Sequence, residues 1–123
     1  MVSKKSKKVK VGIIGLGYWG PNLLRNFITI PNAEVVYGCD INSNNFKKLI
    51  WLYPSVKFIM DYQEIIKDES IDLVVIATPL STHYKLARGT LIAKKHVLLE
   101  KPMTKTGKEA KELIKLAKKI KEF

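Results

Sequence analysis

Residues 9–20 read Val9-Lys10-Val11-Gly12-Ile13-Ile14-Gly15-Leu16-Gly17-Tyr18-Trp19-Gly20, an apolar run that breaks into three glycines at alternate and then third spacing. The run suits a buried strand, and a helical pattern begins inside the glycine hexapeptide. Each glycine has its own task. Gly15 permits the tight turn out of the strand, Gly17 leaves the backbone bare so that a pyrophosphate can approach, and Gly20 lets the helix pack against the sheet. The amino end of that helix presents free N–H groups and the positive end of a dipole to the phosphates. Taken alone the motif is weak, but Asp40 strengthens it. Asp40 ends the next apolar run, 20 residues beyond Gly20 (40 − 20), where a carboxylate can accept hydrogen bonds from an adenosine ribose. Its alternative task is to cap or open the turn that follows. The same carboxylate repels a 2′-phosphate, and no arginine follows in Ile41-Asn42-Ser43-Asn44, so NAD is favoured over NADP.

Working outward, five short apolar runs alternate with amphipathic segments. The runs are Val9–Ile14, Ala33–Cys39, Val56–Ile59, Leu73–Ala77 and His96–Leu99. Crossover helices are expected near 18–30, 43–52, 62–67 and 82–93, with Asp61 and Ser81 as caps of the third and fourth. Trp51 and Tyr53 read as the packed end of the second helix. A last helix carries an apolar stripe of Ala110, Leu113, Ile114, Ala117 and Ile120, preceded by Thr106 and Glu109 at capping-box spacing. Strands that barely alternate are covered on both faces. The fold class is therefore α/β: a doubly wound parallel sheet, a Rossmann fold of about five strands with helices on both faces. Residues 1–8 are expected to form a basic disordered tail and residues 9–123 the single domain. A sixth strand would be expected about where the chain ends, and no second, substrate-binding domain is expected within these 123 residues.

The formal charge of +11 comes from 22 lysines and arginines against 11 acidic residues. The lysines concentrate in the first ten residues and the last helix, with no aromatics interleaved, which argues for a solvated surface against a specific nucleic-acid partner. A lone cysteine, Cys39, allows no internal disulfide and points to a reducing compartment. No stretch approaches the length of a membrane span, and the apolar run after the basic start is too short for a signal peptide, so a cytoplasmic protein is expected. Two separated histidines and one cysteine offer no metal site.

Three signatures together carry a resemblance: the glycine turn, Ala77-Thr78-Pro79-Leu80-Ser81-Thr82-His83 after the fourth strand, and Glu100-Lys101-Pro102 after the fifth. They resemble the amino-terminal domain of the glucose-fructose oxidoreductase, inositol dehydrogenase and MocA dehydrogenases over nearly the whole chain. The turn Gly17-Tyr18-Trp19-Gly20-Pro21-Asn22, with Arg25-Asn26-Phe27 after it, is most similar to members acting on nucleotide-linked amino sugars, such as 3-dehydrogenases of UDP-N-acetylglucosamine type. The resemblance implies hydride transfer between a nicotinamide and a sugar carbinol. It implies that Glu100 holds the nicotinamide ribose, Lys101 meets the reacting hydroxyl, and Pro102 follows a cis peptide. By the same resemblance Thr78 and Pro79 line the cofactor, Tyr18 and Trp19 contact cofactor or sugar, and His83 lies at the mouth of the site as a catalytic group. Read from the residues alone, His83 as readily supports a helix start, Trp19 packs, and His96 only begins a strand.

Family members complete their site and oligomer with a further domain. This chain is thus expected to bind cofactor but to be incomplete for catalysis alone. A non-catalytic nucleotide-binding or sensing module, or half of a split enzyme, is the alternative, and half of a split enzyme would show an apolar patch by the last helix.

Overall fold

The computed structural model describes residues 8–121. The expected tail lies, apart from the exposed Lys8, outside the described residues. Five parallel strands form one sheet: β1 (Val9–Ile14), β2 (Ala33–Cys39), β3 (Lys57–Ile59), β4 (Leu73–Ile76) and β5 (His96–Leu99). Their spatial order is β3-β2-β1-β4-β5. The chain first builds outward from β1 to β3, then returns to β4 beside β1 and builds the other way. That reversal leaves a crevice at the carboxyl ends of β1 and β4, the place where open α/β sheets bind ligands.

The helices are α1 (Gly20–Ile28), α2 (Lys47–Leu52, led in by a 3-10 turn at Ser43–Phe46), α3 (Gln63–Lys67), α4 (His83–Ile92) and α5 (Gly107–Lys121). Alternate strand residues feed two cores. Val11, Ile13, Val35 and Val75 pack with Leu24 of α1 and Phe46. On the other face Ile14, Cys39, Val74 and Ile76 pack with Ile65 of α3, Leu86 and Ala87 of α4 and Leu113 of α5. The period-2 side-chain alternation of a strand thus serves two layers of helix at once.

Local chemistry fixes the ends. Asp61 Oδ1 accepts from the Gln63 N–H at 2.9 Å, as expected of a residue leading into α3. The Thr106 hydroxyl accepts from the Glu109 N–H at 3.2 Å, one half of a capping box. Ser81 does not cap α4: it sits inside a 3-10 turn (Leu80–Thr82), and α4 starts from Thr82 with no side-chain cap. Trp51 is not packed either. It is 86% exposed, because residues two apart on a helix point to opposite sides, and of the two it is Tyr53 that reaches the core.

α4 ends in a Schellman arrangement, with the Lys94 N–H bonded to the Leu91 carbonyl and the Lys95 N–H to that of Thr90. Lys94 pays for this with φ of +64°, a conformation that favours glycine. The turn aims Lys95 inward: it is 6% exposed, and its Nζ donates to the carbonyls of Asp68 (2.6 Å) and Ile71 (3.1 Å). Asp68 is a hub in its own right. Its carboxylate accepts from the Tyr37 hydroxyl (2.7 Å) and from the N–H and hydroxyl of Ser70. The Ser70 and Tyr37 hydrogen bonds hold the Asp68 carboxyl down at about 2, and the same contact raises the Tyr37 hydroxyl above its usual 10.0.

Two outcomes follow from these contacts. Lys94→Gly removes the left-handed strain, less the entropy glycine loses on folding, and should stabilise the chain by about 0.5–1 kcal/mol in a denaturant titration. Asp68 ionises more readily folded than unfolded, so its stabilisation is present above the ordinary carboxylate value of 3.8 and is lost as pH falls toward about 2. Asp68→Asn should cost about 1 kcal/mol at neutral pH and flatten the loss of stability across that acid window, read by thermal unfolding at stepped pH.

Candidate cofactor site

The crevice between β1 and β4 is built by backbone packed against backbone. Gly15 has φ of +99°, and a Cβ there would lie 2.6–2.8 Å from the main chain of Ala77 and Thr78. A Cβ on Gly20 would lie 1.7 Å from the Gly15 carbonyl oxygen. Gly15 thus has the turn-forming task expected of it. Gly20 differs from expectation: it is small because the first turn of α1 rests on the glycine turn itself, not on the sheet. Gly17 is the opposite case. A Cβ there would meet nothing nearer than the Asn45 amide at 3.9 Å, so the fold has no use for this glycine and the space above it is open.

α1 begins beside that space with no side-chain cap and no acidic residue in its first turn. Its amino end is therefore available to an anion. Tyr18 and Trp19 stand above the turn as a stacked pair, centroids 6.4 Å apart, 93% and 46% exposed. Trp19 is a rim residue more than a packing one.

Asp40 closes the other side. Its Oδ2 accepts from the Leu16 N–H at 2.8 Å, and its Oδ1 accepts from the Asn42 N–H at 2.8 Å. The carboxylate therefore opens its own loop, the second of the two tasks that sequence spacing left as alternatives, and it also holds the glycine turn. Each oxygen retains a further lone pair for another donor. Nearby Cys39 is buried, and desolvation raises its thiol to about 12, which leaves it an inert core group.

Thr78 and Pro79 follow β4, facing the glycine turn. The Thr82 hydroxyl donates to the Pro79 carbonyl (2.7 Å), so the 2.6 Å contact between Thr78 and Thr82 has Thr78 as donor. The Thr78 hydroxyl proton is thereby occupied, and its free lone pair makes it an acceptor. Glu100 follows β5 and remains tied to β4 by its N–H to the Ile76 carbonyl, 3.0 Å. Lys101 is exposed and joined to Pro102 by a cis peptide.

His83 is not at the mouth of the site. It is 2% exposed, with Nε2 2.8 Å from the Thr78 carbonyl and Nδ1 3.0 Å from that of Pro102. Those contacts consume the ring, so the expected catalytic role is withdrawn in favour of a supporting one. The residues alone had left open a supporting role at a helix start, yet nothing in spacing foretold its partner in the loop after β5. His96 does only what it was expected to do, opening β5. Among the described residues no cluster of histidine, cysteine and carboxylates could hold a metal, and no helix is long and apolar enough to cross a membrane.

A groove of about 620 Å³ lies elsewhere, between β5, the end of α4 and α5, lined by Leu91, Val97, Leu99, Leu113 and Ile114 among others. The α5 stripe is only partly covered: Leu113 is buried while Ile114 is 48% exposed. The dinucleotide side of the sheet, by contrast, is an open ledge.

Comparison with known proteins agrees with this geometry. The family model described as "Oxidoreductase family, NAD-binding Rossmann fold" (GFO_IDH_MocA) matches residues 9–122. The chain is 36% identical over 116 residues to the oxidoreductase YdgJ of Escherichia coli K12, covering 94% of this chain and 33% of that protein. It is 31% identical over 113 residues to inositol 2-dehydrogenase of Salmonella paratyphi B, covering 90% and 34%. In structure it is similar to biliverdin reductase of Synechocystis sp. PCC 6803 in complex with biliverdin and NADP+, with TM-score 0.85 and 33% identity over 92% of this chain and 35% of that one. The chain spans about a third of the length of these relatives. The glycine turn, the Asp40 latch and the parallel sheet thus have one reading: this chain belongs to the Gfo/Idh/MocA oxidoreductase family, as its NAD-binding Rossmann domain.

Proposed function

We propose that the chain is the cofactor-binding part of a cytoplasmic NAD-dependent oxidoreductase that acts on a sugar or nucleotide-linked sugar. The observation that carries this reading is the convergence of three loops on one sheet edge. The bare Gly17 turn, the Thr78 acceptor and the Glu100-Lys101 pair all follow strand ends at the β1–β4 crevice. The residues fit a dinucleotide. Gly15, Gly17, Gly20 and the uncapped start of α1 would hold its pyrophosphate, Asp40 its adenosine ribose, Thr78 and Pro79 its inner side, and Glu100 its nicotinamide ribose. Bound there, the nicotinamide supplies a hydride acceptor.

The chain's own contribution is to orient and to move a proton. Oxidation of a carbinol requires loss of its hydroxyl proton, and Lys101, exposed at the crevice, is the group we assign to it. Pro102 shapes the turn that presents it. Tyr18 and Trp19, exposed on the rim, would meet the adenosine end or the sugar. NAD is favoured over NADP because Asp40 confronts the position of a 2′-phosphate, although the biliverdin reductase relative is described with NADP+. The substrate is read as a sugar on the strength of the inositol relative and the turn Gly17-Tyr18-Trp19-Gly20-Pro21-Asn22. Amino-sugar nucleotides of UDP-N-acetylglucosamine type are the specific candidates within that class.

A second reading keeps the same cofactor and shares the work. The partly covered stripe on α5 and the groove beside it favour a further protein body seated there, a substrate domain or another subunit. Such a body would help hold a sugar over the nicotinamide, and orientation of that kind accounts for about 7–11 kcal/mol of a barrier.

Calorimetric titration of the chain should show saturable NADH binding, tighter than NADPH. Equal affinities would remove Asp40 from cofactor choice, and no binding would sink the cofactor reading for this chain. Gly17→Ala should keep the thermal midpoint, since a Cβ finds open space, yet weaken NADH at least tenfold. Sugar-dependent NAD reduction by the chain alone should be negligible; robust turnover would show that orientation needs nothing more than these residues.

A further inference from the structure

His83 is the one buried ionisable ring that neither the sheet core nor the proposed chemistry uses. Its Nε2 lies 2.8 Å from the Thr78 carbonyl, and its Nδ1 lies 3.0 Å from the Pro102 carbonyl and 3.3 Å from that of Met103. Backbone carbonyls only accept. A neutral imidazole has one N–H, so either tautomer would turn the lone pair of the other nitrogen toward a carbonyl oxygen. At 2% exposure, little water can intervene. A ring protonated on both nitrogens satisfies every contact.

The groups around it do not change this arithmetic. Among the described residues, the ionisable side chains on the surrounding elements are Glu100, Lys101 and Lys105 of the loop, Tyr84, Lys85 and Arg88 on α4, and Lys108, Glu109, Lys111, Glu112, Lys115, Lys118 and Lys119 on α5. Tyr84 and Glu112 are bonded to each other, and none of these side chains is among the ring's hydrogen-bond partners. Burial works against a charge on the ring, and the carbonyl dipoles of two segments, which face it directly, work for one.

We infer that His83 is held as an imidazolium, a cationic staple that fastens the turn after β4 to the loop after β5. It is a positioning residue. Thr78 bears one anchor point itself, and Pro102 and Met103 follow Glu100 and Lys101 directly, so the staple sets the spacing between the two loops. The staple stands on this geometry alone; its consequence for NADH rests on the cofactor reading above.

The test is the pair of ¹⁵N chemical shifts of the His83 ring in the cofactor-free chain at neutral pH, assigned by their disappearance in His83→Gln. Both nitrogens at protonated shifts support the staple, and one nitrogen at the shift of a bare lone pair overturns it. His83→Gln can donate to only one of the two segments. It should shift the amide resonances of Lys101 and Met103 and weaken NADH about tenfold, as expected for one lost charge-assisted hydrogen bond. Unchanged amide shifts with full affinity would overturn the positioning role. Should the variant not fold, the wild-type ring shifts decide alone. Should the wild type not bind NADH, the cofactor reading fails while the ring shifts still judge the staple.

Discussion

The main chain of Gly20 rests against the carbonyl oxygen of Gly15, at a distance that admits no side chain. Much else depends on that contact. It sets where α1 starts relative to β1, and hence where the positive end of the helix points. Gly15 in turn rests on Ala77 and Thr78, so the ends of β1 and β4 are locked to each other before any side chain contributes. Such packing is rigid because it has no rotamers to lose. The price is intolerance, since no substitution at either glycine can be absorbed by a neighbouring side chain moving aside.

Asp40 extends the same lock to β2. A carboxylate that accepts from the Leu16 N–H cannot drift away from the glycine turn, and the Asn42 N–H fixes its second oxygen. Charge-assisted hydrogen bonds of this kind are among the stronger ones available to a partly buried group. On the proposed reading, function and fold are then drawn from one side chain, and loss of binding on its mutation need not mean loss of a ligand contact alone. The turn can lose its shape first.

The fold was legible in the sequence to within a residue or two at each strand, because a parallel sheet covered on both faces writes itself as apolar runs between amphipathic ones. β3 begins at Lys57 where Val56 was expected, and β4 stops at Ile76, one residue short. Side-chain fates were less legible. Trp51 was expected inside because it is large and apolar, and periodicity does not say which of Trp51 and Tyr53, on opposite sides of the helix end, reaches the core. His83 was expected at the surface of the site, and no local pattern encodes a contact with a loop 19 residues away. Lys95 was hidden in a lysine-rich sequence and proved to be a buried donor, turned inward by the left-handed backbone of its neighbour. In each case the deciding contact is tertiary and lies outside the window in which a sequence pattern is read.

The open space above Gly17 has an evolutionary consequence. The ledge that faces it is made of peptide groups, and the nearby side chains, Tyr18 and Trp19, form an exposed and a half-exposed rim. On the proposed reading, anchoring and discrimination fall to different atoms. Exchanges at the two rim positions would then retune what is recognised without disturbing the ledge proposed to hold the phosphates.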